Sequence, residues 1–247
     1  VLLHGYSHPG RFREAEWKFG DLVDQYGFVL AYPDGTRESG GEKNQFWNAS
    51  DACCNFYGSG VDDSAYILSI IQALTGKYNI DPKRIYLIGH SNGGFMSYRV
   101  AYEHSETIAA IASVAGAATI MDRPAPRYPV HVLQIHGTAD SAIAYDGGDV
   151  RANLSGRSER RPYPGAVETA ERWAAYNGCA VEGRSGSGRD LDKGIAGAET
   201  TVTQYVEGCK DGGSSTVWTI LGGAHSPDIS DTFSQQIVEW LLAHPKP

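Results

Sequence analysis

The chain has 247 residues, of which 41% are hydrophobic and 20% charged; that is enough apolar material for a sizeable core and too much for a disordered chain. Its net charge of −8 argues against nucleic acid as a partner, because phosphate binding needs a basic face. No run of residues approaches the apolar length of a membrane span.

Residues 1–3 read as the end of a strand. A chain that opens in mid-strand implies further strands upstream in the natural protein, so the lack of a signal peptide says nothing about secretion. Residues 14–26 have helical period, with Trp17, Leu22, Val23 and Tyr26 on one face. Residues 28–32 read as a strand that Pro33-Asp34-Gly35 stops. A helix over 64–78 buries Ile67, Leu68, Ile71 and Leu74, with Asp62 or Asp63 as its cap. A strand over 84–88 leads into a helix over 93–104, and the apolar run 108–114 contains the next strand.

Another strand covers 130–135, a helix 166–176, a strand 216–221, and a closing amphipathic helix 231–243. Clusters of Gly with Ser and Asp at 184–188 and 211–215 read as turns between strands. Strands alternating with helices imply an α/β fold: a mostly parallel sheet with helices on both faces. The length suits one domain over residues 1–247. In such a sheet the active site lies at the carboxyl ends of the strands, and each polar motif here follows a predicted strand.

Gly89-His90-Ser91-Asn92-Gly93 fits G-x-S-x-G and sits between the strand over 84–88 and the helix after it. That context is a strand-to-helix elbow, which exposes the serine oxygen on a strained backbone. A serine nucleophile needs a base, and His225 follows the last strand in a Gly-rich loop. Alone, His225 would read as a surface histidine and Asp140 as a turn residue. Together Ser91, Asp140 and His225 each follow a strand, in the chain order of the α/β-hydrolase triad. The loop after the first strand places the Tyr6 N–H beside that of Asn92 as the second oxyanion donor. His4 reads as structural. His4 and His8 lie in a Gly/Pro loop that does not suit a metal, so neither metal nor cofactor is expected.

Trp47, Phe56 and Tyr57 sit on the same side, and Trp47 is a candidate for stacking on substrate. Tyr145 and the polar segment 151–161 follow Asp140 and would form another wall of the cleft. The four cysteines have no zinc-site spacing, so disulfides and an oxidising compartment are the better reading. Cys53 and Cys54 are adjacent; they could bridge each other, stay free or pair elsewhere.

The chain resembles the secreted polyhydroxybutyrate depolymerase and feruloyl esterase family of α/β-hydrolases. The resemblance rests on Leu3-His4-Gly5, Tyr32-Pro33-Asp34-Gly35, Trp47-Asn48-Ala49 with Cys53-Cys54, and Val61-Asp62-Asp63. It continues through Gly89 to Gly94, His136-Gly137-Thr138-Ala139-Asp140, Tyr145 to Gly148, Trp173 to Cys179 and Gly222-Gly223-Ala224-His225. It implies the same triad, no large lid domain, and ester substrates that are bulky or polymeric: hydroxycinnamoyl or acetyl esters of plant polysaccharide, or a polyester. The stretch 32–61 is nearer the feruloyl esterase members. The resemblance also supports a bridge from Cys179 to Cys209, clipping the Gly-rich hairpin region 181–206 to the body, and it implies a secreted enzyme; a monomer is expected. The competing reading from another class is a catalytically dead hydrolase fold that only binds; such folds commonly lose a triad member.

Overall fold

The computed structural model describes residues 1–150 and 161–247. In chain order the elements are β1 (Leu2–Leu3), α1 (Gly10–Trp17), a 3-10 turn (Phe19–Leu22), α2 (Val23–Tyr26), β2 (Thr36–Arg37), β3 (Gln45–Phe46) and α3 (Asp63–Lys77). They continue with β4 (Tyr86–His90), α4 (Asn92–Glu103), β5 (Ala110–Val114), β6 (His131–Gly137), β7 (Gly147–Asp149), β8 (Pro162–Pro164) and α5 (Ala166–Tyr176). The last are β9 (Arg184–Ser185), β10 (Thr200–Tyr205), β11 (Ser214–Ile220) and α6 (Phe233–Leu242).

The main sheet runs β1-β4-β5-β6-β11-β10-β9. Neighbours from β1 to β11 are parallel, and β10 and β9 add antiparallel pairs at the far edge. Alternate residues of the central strands feed two separate cores, as the two-residue period of a strand requires. Leu87, Ile111 and Val132 face Ile67 of α3, Phe95 of α4 and Trp173 of α5. Ile88, Ala112 and Leu133 face Trp17 of α1 and Phe233 and Ile237 of α6. Each fully buried large side chain contributes roughly 1.5–3 kcal/mol, so both faces of the sheet are tightly held beneath the loops that carry the polar motifs.

The helix expected over 14–26 is broken. Lys18 adopts a left-handed conformation (φ 53°), its N–H closes on Glu14 O, and the chain resumes as the 3-10 turn and the one-turn α2. Trp17 and Phe19 are thereby both turned into the core beside α6, which one straight helix would not allow. Residues 28–32 are not a regular strand; one bond, Leu2 N–H to Ala31 O, ties them to β1. Asp62 rather than Asp63 caps α3, accepting from the Ala65 N–H. Asp63 is buried instead, and its carboxylate accepts from Asn48 N–H and Thr36 Oγ1, pinning the loop around β2 and β3. The segments 184–188 and 211–215, expected as turns, are partly strand: Arg184–Ser185 form β9, and Ser214 and Ser215 open β11.

Candidate active site

Ser91 follows β4 directly and opens α4, with φ 52° and ψ −118°, a region a residue with a side chain enters only under strain. The flanking glycines are sterically required. A Cβ on Gly89 would stand 2.1 Å from Gly93 O, and one on Gly93 would stand 2.3 Å from Leu3 O. Ser91 N–H donates to Val114 O, and Ser91 O accepts from Phe95 N–H, so the elbow is tied to β5 and to the first turn of α4.

Asp140 lies in the loop after β6 and His225 in the loop after β11, two adjacent parallel strands. His225 Nδ1 donates to Asp140 Oδ2 at 2.8 Å. The two loops are also joined by Ala139 N–H to Gly223 O. Asp140 Oδ1 accepts from the Ala142 and Ile143 N–H groups, both at 2.8 Å. A second imidazole, His136 Nε2, lies 3.2 Å from Asp140 Oδ2. Burial opposes ionisation of Asp140, but hydrogen bonds from His136, His225 and Ile143 outweigh it and hold the carboxyl well below the usual carboxylate range.

His136 is fixed by a buried chain behind it. Gln134 Nε2 donates to Gly116 O and to His136 Nδ1, while Tyr98 Oη donates to Gln134 Oε1. Because His136 Nδ1 accepts, the ring proton sits on Nε2, aimed at Asp140 Oδ2 and Ile143 O. Sequence reasoning overlooked this histidine; its only signal was its position four residues before Asp140 in the same motif.

The Tyr6 and Asn92 N–H groups donate to no other group among the described residues, and each lies in a loop or elbow beside Ser91. The Asn92 side chain brackets the backbone of Trp47, with Oδ1 accepting from Trp47 N–H and Nδ2 donating to Trp47 O. Tyr6 Oη donates to Glu38 Oε1, which steadies the loop after β1. His4 is structural, as expected: its Nε2 accepts from Gly35 N–H and its Nδ1 donates to Gly5 O. Ser91 and His225 open onto one cleft of about 670 Å³ at the carboxyl ends of the strands. A separate apolar groove of about 470 Å³ lies at the other end of β4, between Phe28, Leu74 and Leu241, away from these polar groups.

Residues 1–123 match the family described as esterase PHB depolymerase. The first 123 residues carry that family's signature. Over 91% of its length it is 30% identical to feruloyl esterase B of Piromyces equi, and over 92% it is 30% identical to the putative esterase NocK of Nocardia uniformis subsp. tsuyamanensis. It spans 39% of the first relative and 64% of the second. A solved acetyl xylan esterase from Aspergillus awamori superposes with a TM-score of 0.66 at 16% identity, over 98% of this chain and 87% of that one. The shared architecture is the α/β-hydrolase fold.

The structure corrects both substrate-contact expectations. Trp47 is fully buried (0% exposed), donates Nε1–H to His4 O and packs on the His4 ring, so it presents no surface to the cleft. Tyr145 stands behind His136, ring edge to ring face, with its hydroxyl bonded to Thr219 Oγ1. The cleft walls are instead Tyr6, Phe56, Ile143, Tyr163 and the Cys53–Cys54 pair. Phe56 meets the Tyr6 ring edge-on at 5.2 Å. Of the expected wall 151–161, all but Arg161 lies outside the described residues; Arg161 reaches Asp51 O. Cys53 and Cys54 are bridged to each other, and Cys179 is bridged to Cys209. No helix among the described residues is long and apolar enough to cross a membrane.

Proposed function

We propose that this chain hydrolyses carboxylic esters through an acyl-enzyme, with Ser91 as nucleophile, His225 as general base and Asp140 as the orienting acid. One observation carries the reading: a strained elbow serine opens on the same cleft as an imidazole whose Nδ1–H is held by a buried, ionised carboxylate. His225 Nε2 takes the Ser91 proton as Oγ bonds to the ester carbonyl carbon. The carbonyl oxygen becomes an oxyanion held by the Tyr6 and Asn92 N–H groups. Collapse breaks the ester C–O bond, and His225 returns the proton to the leaving alcohol. Water, deprotonated by His225, then attacks the acyl carbon and releases the acid and Ser91. Asp140 stays ionised throughout and offsets the charge of the imidazolium.

The substrate we favour is a hydroxycinnamoyl ester of plant cell-wall polysaccharide. In support, the cleft wall is aromatic and sulfur-rich, suited to a flat phenolic acyl group, and relatives carry the names feruloyl esterase and acetylxylan esterase. We read residues 1–247 as one catalytic domain of a secreted, monomeric enzyme. The two disulfides support an oxidising compartment.

A fluorophosphonate probe tests the assignment. It should label the wild-type protein at Ser91 and leave Ser91→Ala unlabelled. A panel of methyl ferulate, acetylated xylan, p-nitrophenyl acetate and a polyhydroxybutyrate film should show the highest kcat/KM on methyl ferulate. If Ser91→Ala kept a tenth or more of wild-type turnover, the triad would be wrong.

A further inference from the structure

The residue before the nucleophile, His90, carries a buried network that the ester chemistry described above does not use. His90 ends β4 and is almost fully enclosed. Its Nε2 lies 3.0 Å from the main-chain oxygen of His225, and its Nδ1 lies 2.9 Å from Arg13 Nη2. A guanidinium can only donate, so His90 Nδ1 accepts and the ring proton must sit on Nε2, where it donates to His225 O. Arg13 is itself buried on α1, paired with Glu16 and stacked against the Trp17 ring. Trp17 also packs edge-on against the His90 ring. Burial, followed by the Arg13 charge, keeps His90 neutral.

His225 stands in a loop that opens Gly222-Gly223, with Gly222 at φ 79°. Among the described residues, the bond from His90 is the one hydrogen bond that holds the His225 main chain. Its far anchor is the residue covalently joined to Ser91. The loop of the base is therefore tied to the strand end that carries the nucleophile, in addition to its bonds to the loop of Asp140.

We infer that Arg13 and His90 are positioning residues for the His225 base: Arg13 fixes the His90 tautomer, and the His90 Nε2–H fixes the His225 carbonyl. If Arg13 is lost, the proton can move to His90 Nδ1. The Nε2 lone pair then faces the His225 oxygen, and the loop is repelled instead of held. This inference rests on the reading of His225 as the base.

The test compares Arg13→Met, Arg13→Lys, His90→Phe and His90→Gln with wild type and Ser91→Ala on a soluble p-nitrophenyl ester, with fluorophosphonate labelling rates alongside. Arg13→Met and His90→Phe should lower kcat roughly 10- to 100-fold with KM within about two-fold, and slow labelling in parallel. His90→Gln should recover most of kcat, because its amide can accept from Arg13 and donate to His225 O; a purely packing role would show no such rescue. Folded Arg13→Met and His90→Phe variants within two-fold of wild-type kcat would overturn the inference, while an inactive Ser91→Ala would leave the triad standing. A Ser91→Ala that still turned over would sink the triad and this inference with it. Nitrogen-15 NMR of the wild-type protein gives a check that needs no variant. His90 should appear as the Nε2–H tautomer, and an Nδ1–H signal would overturn the inference even if every variant failed to fold.

Discussion

The imidazoles of His136 and His225 converge on one oxygen, Asp140 Oδ2, at 3.2 and 2.8 Å. The carboxylate is thus gripped from the interior by His136 and from the cleft by His225, while two backbone N–H groups hold its other oxygen. It cannot swing away from His225 without giving up His136 and leaving both amides unpaired. Asp140→Asn should leave the protein folded and lower kcat about 10³-fold or more, since an amide cannot hold the imidazole in the same tautomer and charge state. His136→Phe removes only the interior grip. It should cost about 1–3 kcal/mol of stability, through unpaired Gln134 and Ile143 groups, and a smaller part of kcat. Steady-state kinetics with thermal melts on both variants checks this; wild-type kcat in Asp140→Asn would move the acid role elsewhere.

Because its hydrogen bonds keep the Asp140 carboxyl below the usual range, it remains ionised at any pH where a carboxylate ordinarily is. Activity should therefore fall on the acid side through one group, the imidazole that must be neutral to accept the serine proton. A log kcat/KM profile with limiting slope 1 above about pH 5 is the expected result. A slope of 2 there would mean that a second group, Asp140 included, titrates in the same window.

Stability should follow a different set of histidines. Burial, first among the causes, lowers His4, His90 and His244, and it lowers His131 to about 4. The unfolded chain takes up these protons near the ordinary value of about 6.5, before the folded chain can. The stability these groups contribute is thus whole above about pH 6.5 and is lost as pH falls towards 4, up to about 3 kcal/mol from His131 alone. Tm should drop steadily across that window, and His131→Gln should flatten the slope. A Tm constant from pH 7 to 4 would contradict the sign.

Ser91 sits at φ 52° without a glycine's freedom. Ser91→Gly should abolish turnover, about 10⁴-fold or more, yet raise stability by about 1–3 kcal/mol as the strain is released. Calorimetry decides it: a Tm below wild type would mean that the elbow is held by Ser91 contacts rather than strained around it.

Cys179 follows α5 and Cys209 precedes β11, and backbone bonds from Ala180 N–H to Glu207 O and from Lys210 N–H to Asn177 O flank the bridge. The bridge closes a loop of 30 residues, worth on the order of 3 kcal/mol. Cys179→Ser with Cys209→Ser should lower Tm by several degrees and leave turnover in the cold within about two-fold. A large loss of kcat at low temperature would show that the clip also shapes the catalytic loop beyond β11.

What was legible in the sequence was local. The elbow needs a strand, two glycines and a helix within a dozen residues, and each announces itself by period or by residue type. The order Ser91, Asp140, His225 was readable because each follows its own strand in a parallel sheet, which places all three at one end. The break at Lys18, by contrast, is decided by Trp17 and Phe19 both seeking the core beside α6, a contact across some 215 residues of chain that no local period records. Trp47 looked like a substrate platform because it is a large aromatic in a loop on the active-site side. Only the tertiary fold, through Asn92 and His4, turns it inward. His136 behind the acid and Arg13 behind His90 were invisible for the same reason. Each acts through a partner on a different element, and a polar side chain shows that it is buried, paired and aimed only once those elements pack against one another.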